Sequence, residues 1–278
     1  MERLGRYVAA STPQAHRRQV LRRLLCGAEG SEVRMTVRGT DGAEREVHLR
    51  RTLPAASQIA EPRSGDVLRW LPGNIGYADL DRLQRSEVDG MFNMFAAAKA
   101  IVFDMRGYPA GTAWAIAPRL ASPGCLHPPA ARFERPRNSA PLTSDGGMHW
   151  QPGCDVFLQS FAAASGPRYS GLTVMLIDER TISQAEHTGL FLRAANGTVF
   201  VGSPTAGTNG DVTSLVLPGG IAVSFTGQAV LHPDGSRLQR VGLVPDVTAH
   251  PTIAGVRDGR DEVLVAAIVY IQSAVAGG

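Results

Sequence analysis

The stretch IDERTISQAEHTG, Ile177 to Gly189, decides how this chain is read. An apolar run, LTVMLI (172–177), leads into it, and an amphipathic stretch, Gln184 to Ala195, follows. A strand that stops, a polar loop and a helix that starts make a βα unit. Ser183 stands at the mouth of that helix with Glu186 three residues on, the spacing of a capping box. Serine on a strand-to-helix turn is also where a nucleophile elbow carries its hydroxyl. Helix cap and nucleophile are thus both open readings of Ser183.

The same rhythm recurs on either side. NIGYADL (74–80) reads as a strand, Asp81 to Lys99 as a helix with Val88, Met91, Phe92 and Phe95 on one face, and AIVFDM (100–105) as a buried strand. Thr112 to Leu120 is a short helix, and TVFVGS (198–203) another strand. TSLVLPGGIAVSFTGQAV (213–230) reads as a hairpin turning at Pro218-Gly219-Gly220, and Asp261 to Ala274 as a closing helix. Strands alternating with helices predict an α/β fold with a largely parallel sheet, whose sites gather at the strands' carboxyl ends. Residues 122–153 carry six prolines and read as a long irregular loop, of the kind that is functional or disordered.

Before this core, Ser11 to Leu25 reads as a helix, with Ser11 as N-cap and Pro13 in the first turn. EVRMTVRG and REVHLRRT alternate around Asp41-Gly42 as a β-hairpin. The expected organisation is a helix-hairpin module at 1–52, a linker at 53–68 and a core at 69–278. The module is too small to stand alone.

Composition bounds the partners. The 278 residues are 44% hydrophobic and 19% charged, which suits a globular chain, and no apolar run approaches a membrane span. The start, MERLGRYVAA, lacks a signal-peptide core, so either the chain is cytoplasmic or its leader lies outside this sequence. Net charge is +3; residues 1–51 hold eleven arginines against six acids, read as a solvated face, with no nucleic-acid motif beside it. Cys26, Cys125 and Cys154 form no ligand cluster, and no metal or cofactor is expected. Lys99 is the only lysine.

Three segments lie at strand ends. FDMRGYPAGT (103–112) offers glycines and a helix start, the arrangement an oxyanion hole needs. IDERTISQAEHTG offers Ser183 and the adjacent N–H of Gln184. VGSPTAGTNGD (201–211) suits a cleft lining and lacks the GK[ST] of a phosphate-binding loop.

Together with LPGG (217–220) and HPDGSRLQRVGLVPDV (232–247), these segments resemble the tail-specific, or C-terminal processing, serine peptidases and their tricorn-like relatives over about residues 68–265. The resemblance implies a ClpP/crotonase-like core behind part of a PDZ-like module, and a serine endopeptidase acting on peptides or unfolded protein tails. It places the nucleophile at Ser183 and the oxyanion donors at the N–H groups of Ala110 or Gly111 and of Gln184. It also suggests a periplasmic or extracellular bacterial setting.

The match breaks at the base. Ser–Lys members carry a lysine twenty-five residues beyond the serine, where this chain has Thr208, and Lys99 precedes its strand. In the tricorn-like arrangement a histidine from an upstream Asp-Gly-His segment acts as base, and a polar group near the closing motif, here Gln239, orients it. That upstream segment is not in this sequence, so the resemblance implies a chain cut at its amino end, with weak or no turnover by residues 1–278. His187, one helical turn beyond Ser183, is the nearest alternative base, with a solvent-facing or capping role as its other reading. His127 and His149 sit in the Pro-rich loop and are further candidates, whereas His16, His48, His232 and His250 read as surface residues. A non-catalytic relative that binds peptides is the second functional reading, and a crotonase acting on acyl-CoA the third.

Overall fold

The computed structural model describes residues 2–52, 63–122, 124, 127–136 and 153–276. Helices α1 (Glu2–Gly5) and α2 (Pro13–Arg23) open the chain, followed by the hairpin β1 (Glu32–Arg38) and β2 (Glu44–Arg50). α2 starts one residue later than its sequence suggests: Thr12, in an extended conformation, is the N-cap and accepts the Ala15 N–H. Strands β3 (Leu68–Leu71) and β4 (Ile75–Asp79) follow, then a 3-10 turn (Arg85–Glu87), α3 (Val88–Met94) and β5 (Ala100–Asp104). α3 is much shorter than the apolar spacing of 81–99 implies. The Asp79 carboxylate takes the Asp81 N–H and the Arg82 guanidinium, so the chain turns there before it coils.

Next come α4 (Ala113–Leu120), β6 (Pro129–Pro136), β7 (Cys154–Ser160), β8 (Leu172–Ile177), α5 (Gln184–Asn196) and β9 (Val199–Gly202). The chain ends with β10 (Val212–Leu217), β11 (Ile221–Thr226), β12 (Ala229–Leu231), β13 (Val247–Thr248), α6 (Ile253–Arg257) and α7 (Glu262–Ala276). β6 corrects the reading of 122–153 as irregular. Its prolines sit at the two ends of the strand, where a missing N–H costs little of the ladder, and β6 pairs antiparallel with both β7 and β12. Residues 123, 125, 126 and 137–152 of that stretch, and 53–62 of the expected linker, lie outside the described residues.

The central sheet runs β13-β9-β8-β5-β4-β3, parallel throughout except for β3. β5 is buried along its whole length, which is why its sequence is a continuous apolar run instead of an alternation. Its residues still divide by parity. Ile101 and Phe103 join Met175, Ile116 and Phe191 on one face, and Ala100 and Val102 join Val174, Val201 and the α7 residues Val263, Ala267 and Ile271 on the other. Helices thus cover both faces. Among the described residues no helix is long and apolar enough to cross a membrane.

Register sets where the site lies. Asp79 pairs with Asp104, Asp104 with Leu176, and Ile177 with Gly202, so four parallel strands end at one level and their following loops meet. Gly202 is required at this edge: φ is +134°, and a Cβ would overlap the Ile177 carbonyl oxygen. Gly202→Ala should therefore destabilise the fold by about 3 kcal/mol or more, read as a lower urea midpoint at unchanged slope.

Candidate active site

The loop between β8 and α5 is tied to both neighbouring strand ends through Thr181. Its N–H donates to Asp178 O (2.9 Å), its hydroxyl donates to Met105 O at the end of β5 (2.9 Å), and its carbonyl accepts the Ala206 N–H beyond β9 (3.0 Å). Two residues later Ser183 adopts φ 55° and ψ −117°, a region that residues with a Cβ avoid. Such a conformation costs about 1–3 kcal/mol and persists only where the surroundings over-determine it.

Glu186 supplies that constraint. Its carboxylate is fully buried and accepts hydrogen bonds from Thr205 Oγ1 (2.5 Å), Gly207 N (2.7 Å), Thr208 N (2.9 Å) and Ser183 N (3.3 Å). Ser183 N also donates to Thr208 O (2.8 Å). Ser183 and Glu186 do make the capping box that their spacing predicts. The acceptor set extends that box across to a second loop, sewing 205–208 to the turn at 183. Burial pushes the Glu186 carboxyl up from its ordinary value, and the four hydrogen bonds pull it back in part.

The second wall is the turn after β5. Asp104 is buried and accepts from the Tyr77 hydroxyl, from Arg106 and from Arg63. Burial opposes its charge, but the Arg106 hydrogen bonds and the charges of Arg106 and Arg63 win and hold it well below the usual carboxylate range. Arg106 reaches on to Asp261 before α7 (2.6 and 2.9 Å), and Arg63 also bonds Asp79. Gly107 lies against the Asp81 side chain, whose carboxylate accepts the Tyr108 N–H (2.6 Å). The turn then reaches Ala110 and Gly111, the latter at φ +70°.

The sequence candidates group as follows. The side-chain nitrogen Nε2 of Gln184 lies 3.9 Å from the position of a Cβ on Gly111, so the segment after Ser183 and the glycine turn are neighbours. As the first residue of α5, Gln184 has a backbone N–H with no acceptor inside the helix. Ala110 is bridged to Gln84 before α3. Thr208 lies against Ser183 through the N–H···O bond above, and its hydroxyl donates to Ser11 Oγ (2.8 Å). Lys99 is exposed and precedes β5, at the end of the sheet away from Ser183.

His187 is neither solvent-facing nor a cap. Its ring packs against Trp114, Phe133 and Phe191 at centroid distances of 5.6, 5.8 and 5.0 Å. Nε2 bonds Gln159 Oε1 (2.7 Å) and Nδ1 faces Asn209 Nδ2 (3.4 Å), a pairing satisfied by the neutral Nε2–H tautomer. Burial pushes its pKa down to about 4, against the opposing charge of Asp211. Gln239 Nε2 donates to Asn209 O (2.7 Å) and Gln228 O (3.2 Å), so Gln239 and His187 meet at Asn209. His127 is exposed, and His149 lies outside the described residues. Among the described residues no cluster of His, Cys, Asp and Glu could hold a metal ion.

Sequence reasoning missed Thr181, Asn209, Asp81 and Gln159. Asn209 sits in the glycine-rich 201–211 segment already singled out, and Gly210 beside it with Gly207 two residues before was the available signal. Gln159 carried none, because its strand is interrupted from β6 by the proline-bearing stretch.

Comparison with known proteins fits this geometry. The model of peptidase family S41 matches residues 74–249, and the chain belongs to that family of tail-specific peptidases. Among solved structures, a peptidase from Parabacteroides merdae ATCC 43184 superposes with a TM-score of 0.58 at 18% identity, over 97% of this chain and 87% of the other. Mature CPAF complexed with lactacystin superposes with a TM-score of 0.63 at 14% identity, over 94% and 71%. An S41 protease from Bacteroides fragilis NCTC 9343 gives 0.51 at 14%, over 88% and 68%. The mixed α/β fold is therefore shared with these proteins. No curated protein matches the sequence.

Two outcomes follow from the geometry. Glu186→Ala strands the Gly207 and Thr208 N–H groups and the Thr205 hydroxyl, and should cost at least about 3 kcal/mol in chemical denaturation; Glu186→Gln, which turns an NH2 toward one pair of donors and keeps an oxygen for the other, should cost less. His187 is held neutral in the fold, so its contribution is complete above about pH 6.5 and is lost as pH falls toward 4. Stability measured across that window should drop by up to about 3 kcal/mol, and His187→Phe should flatten the slope.

Proposed function

We propose that this chain is a serine peptidase that cleaves peptides or unfolded protein tails, with Ser183 as nucleophile. The observation that carries the reading is the Ser183 backbone. A residue with a side chain is held at φ 55° and ψ −117° on a strand-to-helix turn, beside the glycine-bearing turn at 107–111. The serine oxygen attacks the scissile carbonyl, its proton passes to a base, and the leaving amine takes that proton as the acyl-enzyme forms. The N–H groups of Gln184 and of Ala110 or Gly111 hold the oxyanion. Thr208 lines the cleft beside Ser183, and Gln239 acts through Asn209 on the His187 side.

The base in this reading is a histidine supplied from outside residues 1–278, with His187 the candidate within them. In its present orientation both His187 ring nitrogens are engaged, by Gln159 and Asn209. That same engagement favours the second reading, a non-catalytic relative that binds peptides in the cleft. The sheet with helices on both faces supports a ClpP/crotonase-like core, and α2 with the β1–β2 hairpin supports part of a PDZ-like module.

Treatment of the full-length protein, in which the proposed base is present, with a fluorophosphonate probe separates the readings. The peptidase reading expects a covalent adduct on the peptide containing Ser183, absent in Ser183→Ala. An unlabelled protein that still binds unfolded peptides, equally well as Ser183→Ala, would establish the binder.

A further inference from the structure

The loop that positions Ser183 is held from behind by a segment nearly two hundred residues earlier. Thr12 is 4% exposed. Its hydroxyl donates to Ala206 O (2.9 Å) and accepts the Ala15 N–H (3.3 Å), so one oxygen both caps α2 and grips the loop. Its methyl group lies where a Cβ on Gly207 would fall, and Gly207 has φ +66°. Ser11 Oγ accepts from Thr208 Oγ1 (2.8 Å), and Gln14 Nε2 donates to Thr205 O (2.8 Å). Four consecutive residues, 205 to 208, are thus each met by the amino-terminal segment.

On their other side, three of these four residues bond Ser183 or Glu186, and Ala206 donates to Thr181 O. Thr205, Gly207 and Thr208 donate to the Glu186 carboxylate, and Thr208 O takes the Ser183 N–H. One layer of backbone therefore separates the start of α2 from the strained serine. Every contact on the amino-terminal side is made by a neutral side chain, so its strength depends on placement and not on ionic strength.

We propose that Ser11, Thr12 and Gln14 form a positioning strap for the serine loop, through which the seating of α2 sets the geometry of Ser183. The reactivity part of this rests on the reading of Ser183 as nucleophile, whereas the mechanical part does not. The three residues are positioning residues, each acting through 205–208. Loss of one strap bond frees a loop carbonyl or hydroxyl to open locally, and the affected amides should exchange roughly five- to tenfold faster.

The test is amide hydrogen exchange on the 278-residue chain, read by mass spectrometry over 181–187 and 203–209, alongside the rate of fluorophosphonate labelling of the full-length protein. Thr12→Val keeps the shape and removes the hydroxyl, and Thr12→Ser restores it. Faster exchange in both peptides and slower labelling in Thr12→Val, with recovery in Thr12→Ser and unchanged protection in β5 and β8, would support the strap. Unchanged exchange over 203–209 in Thr12→Val would overturn it. Should Thr12→Val loosen β5 and β8 as well, the half-buried Gln14 decides through Gln14→Ala: acceleration confined to the two loops supports the strap, and none refutes it. The exchange pattern alone decides the strap, whereas a full-length protein that fails to label at Ser183 would remove the peptidase reading and leave the strap in place.

Discussion

One buried carboxylate organises the site. Glu186 has no solvent to share its charge, so the fold must bring donors to it, and it draws them from two separate loops. Three of the four are backbone N–H groups, which cannot rotate away. Satisfying the charge therefore fixes the chain path at 183 and at 207–208 together. The unfavourable backbone angles of Ser183 are a by-product of that fixation: an anion anchored one helical turn behind the serine holds its main chain where a relaxed loop would not stay.

The opposite wall uses charge differently. Asp104, Arg106, Arg63, Asp79 and Asp261 form a network with guanidinium groups on several sides of two buried carboxylates. Breaking any member would leave a buried charge uncompensated, so the network resists piecemeal change. It roots the 106–111 turn to strands β4 and β5 and to the start of α7. Between these walls the connections are neutral: Thr181 joins strand end to loop, and the Ser11–Gln14 segment braces the far side. A network of ion pairs thus lies under the glycine turn, whereas the serine turn is held by one buried carboxylate ringed by neutral donors.

Much of the sheet was legible because buried parallel strands advertise themselves as short apolar runs: 100–105, 172–177 and 198–203 fall where β5, β8 and β9 stand. The helix forecast at 81–99 failed because a local side-chain claim on the backbone, Asp79 on Asp81 and Arg82, outbid an apolar periodicity. β6 was hidden because its terminal prolines look like loop punctuation. Within the site, Ser183, Glu186 and the 107–111 turn announced themselves by spacing. The bonds from Thr12 to Ala206 and from Gln159 to His187 join segments whose closeness exists only after the chain has folded, and no local pattern encodes it.

The solitary lysine carries a practical consequence. Lys99 is exposed and precedes β5, while Ser183 lies beyond the carboxyl ends of the strands, so a five-residue strand, about 17 Å, separates the two levels. Lys99 is the sole side-chain amine of these 278 residues. An amine-reactive tether or fluorophore would attach to the side chains at that one point, leaving the cleft pointing away from the support. The position that excludes Lys99 from the chemistry makes it a natural handle for anchoring the molecule in a single orientation.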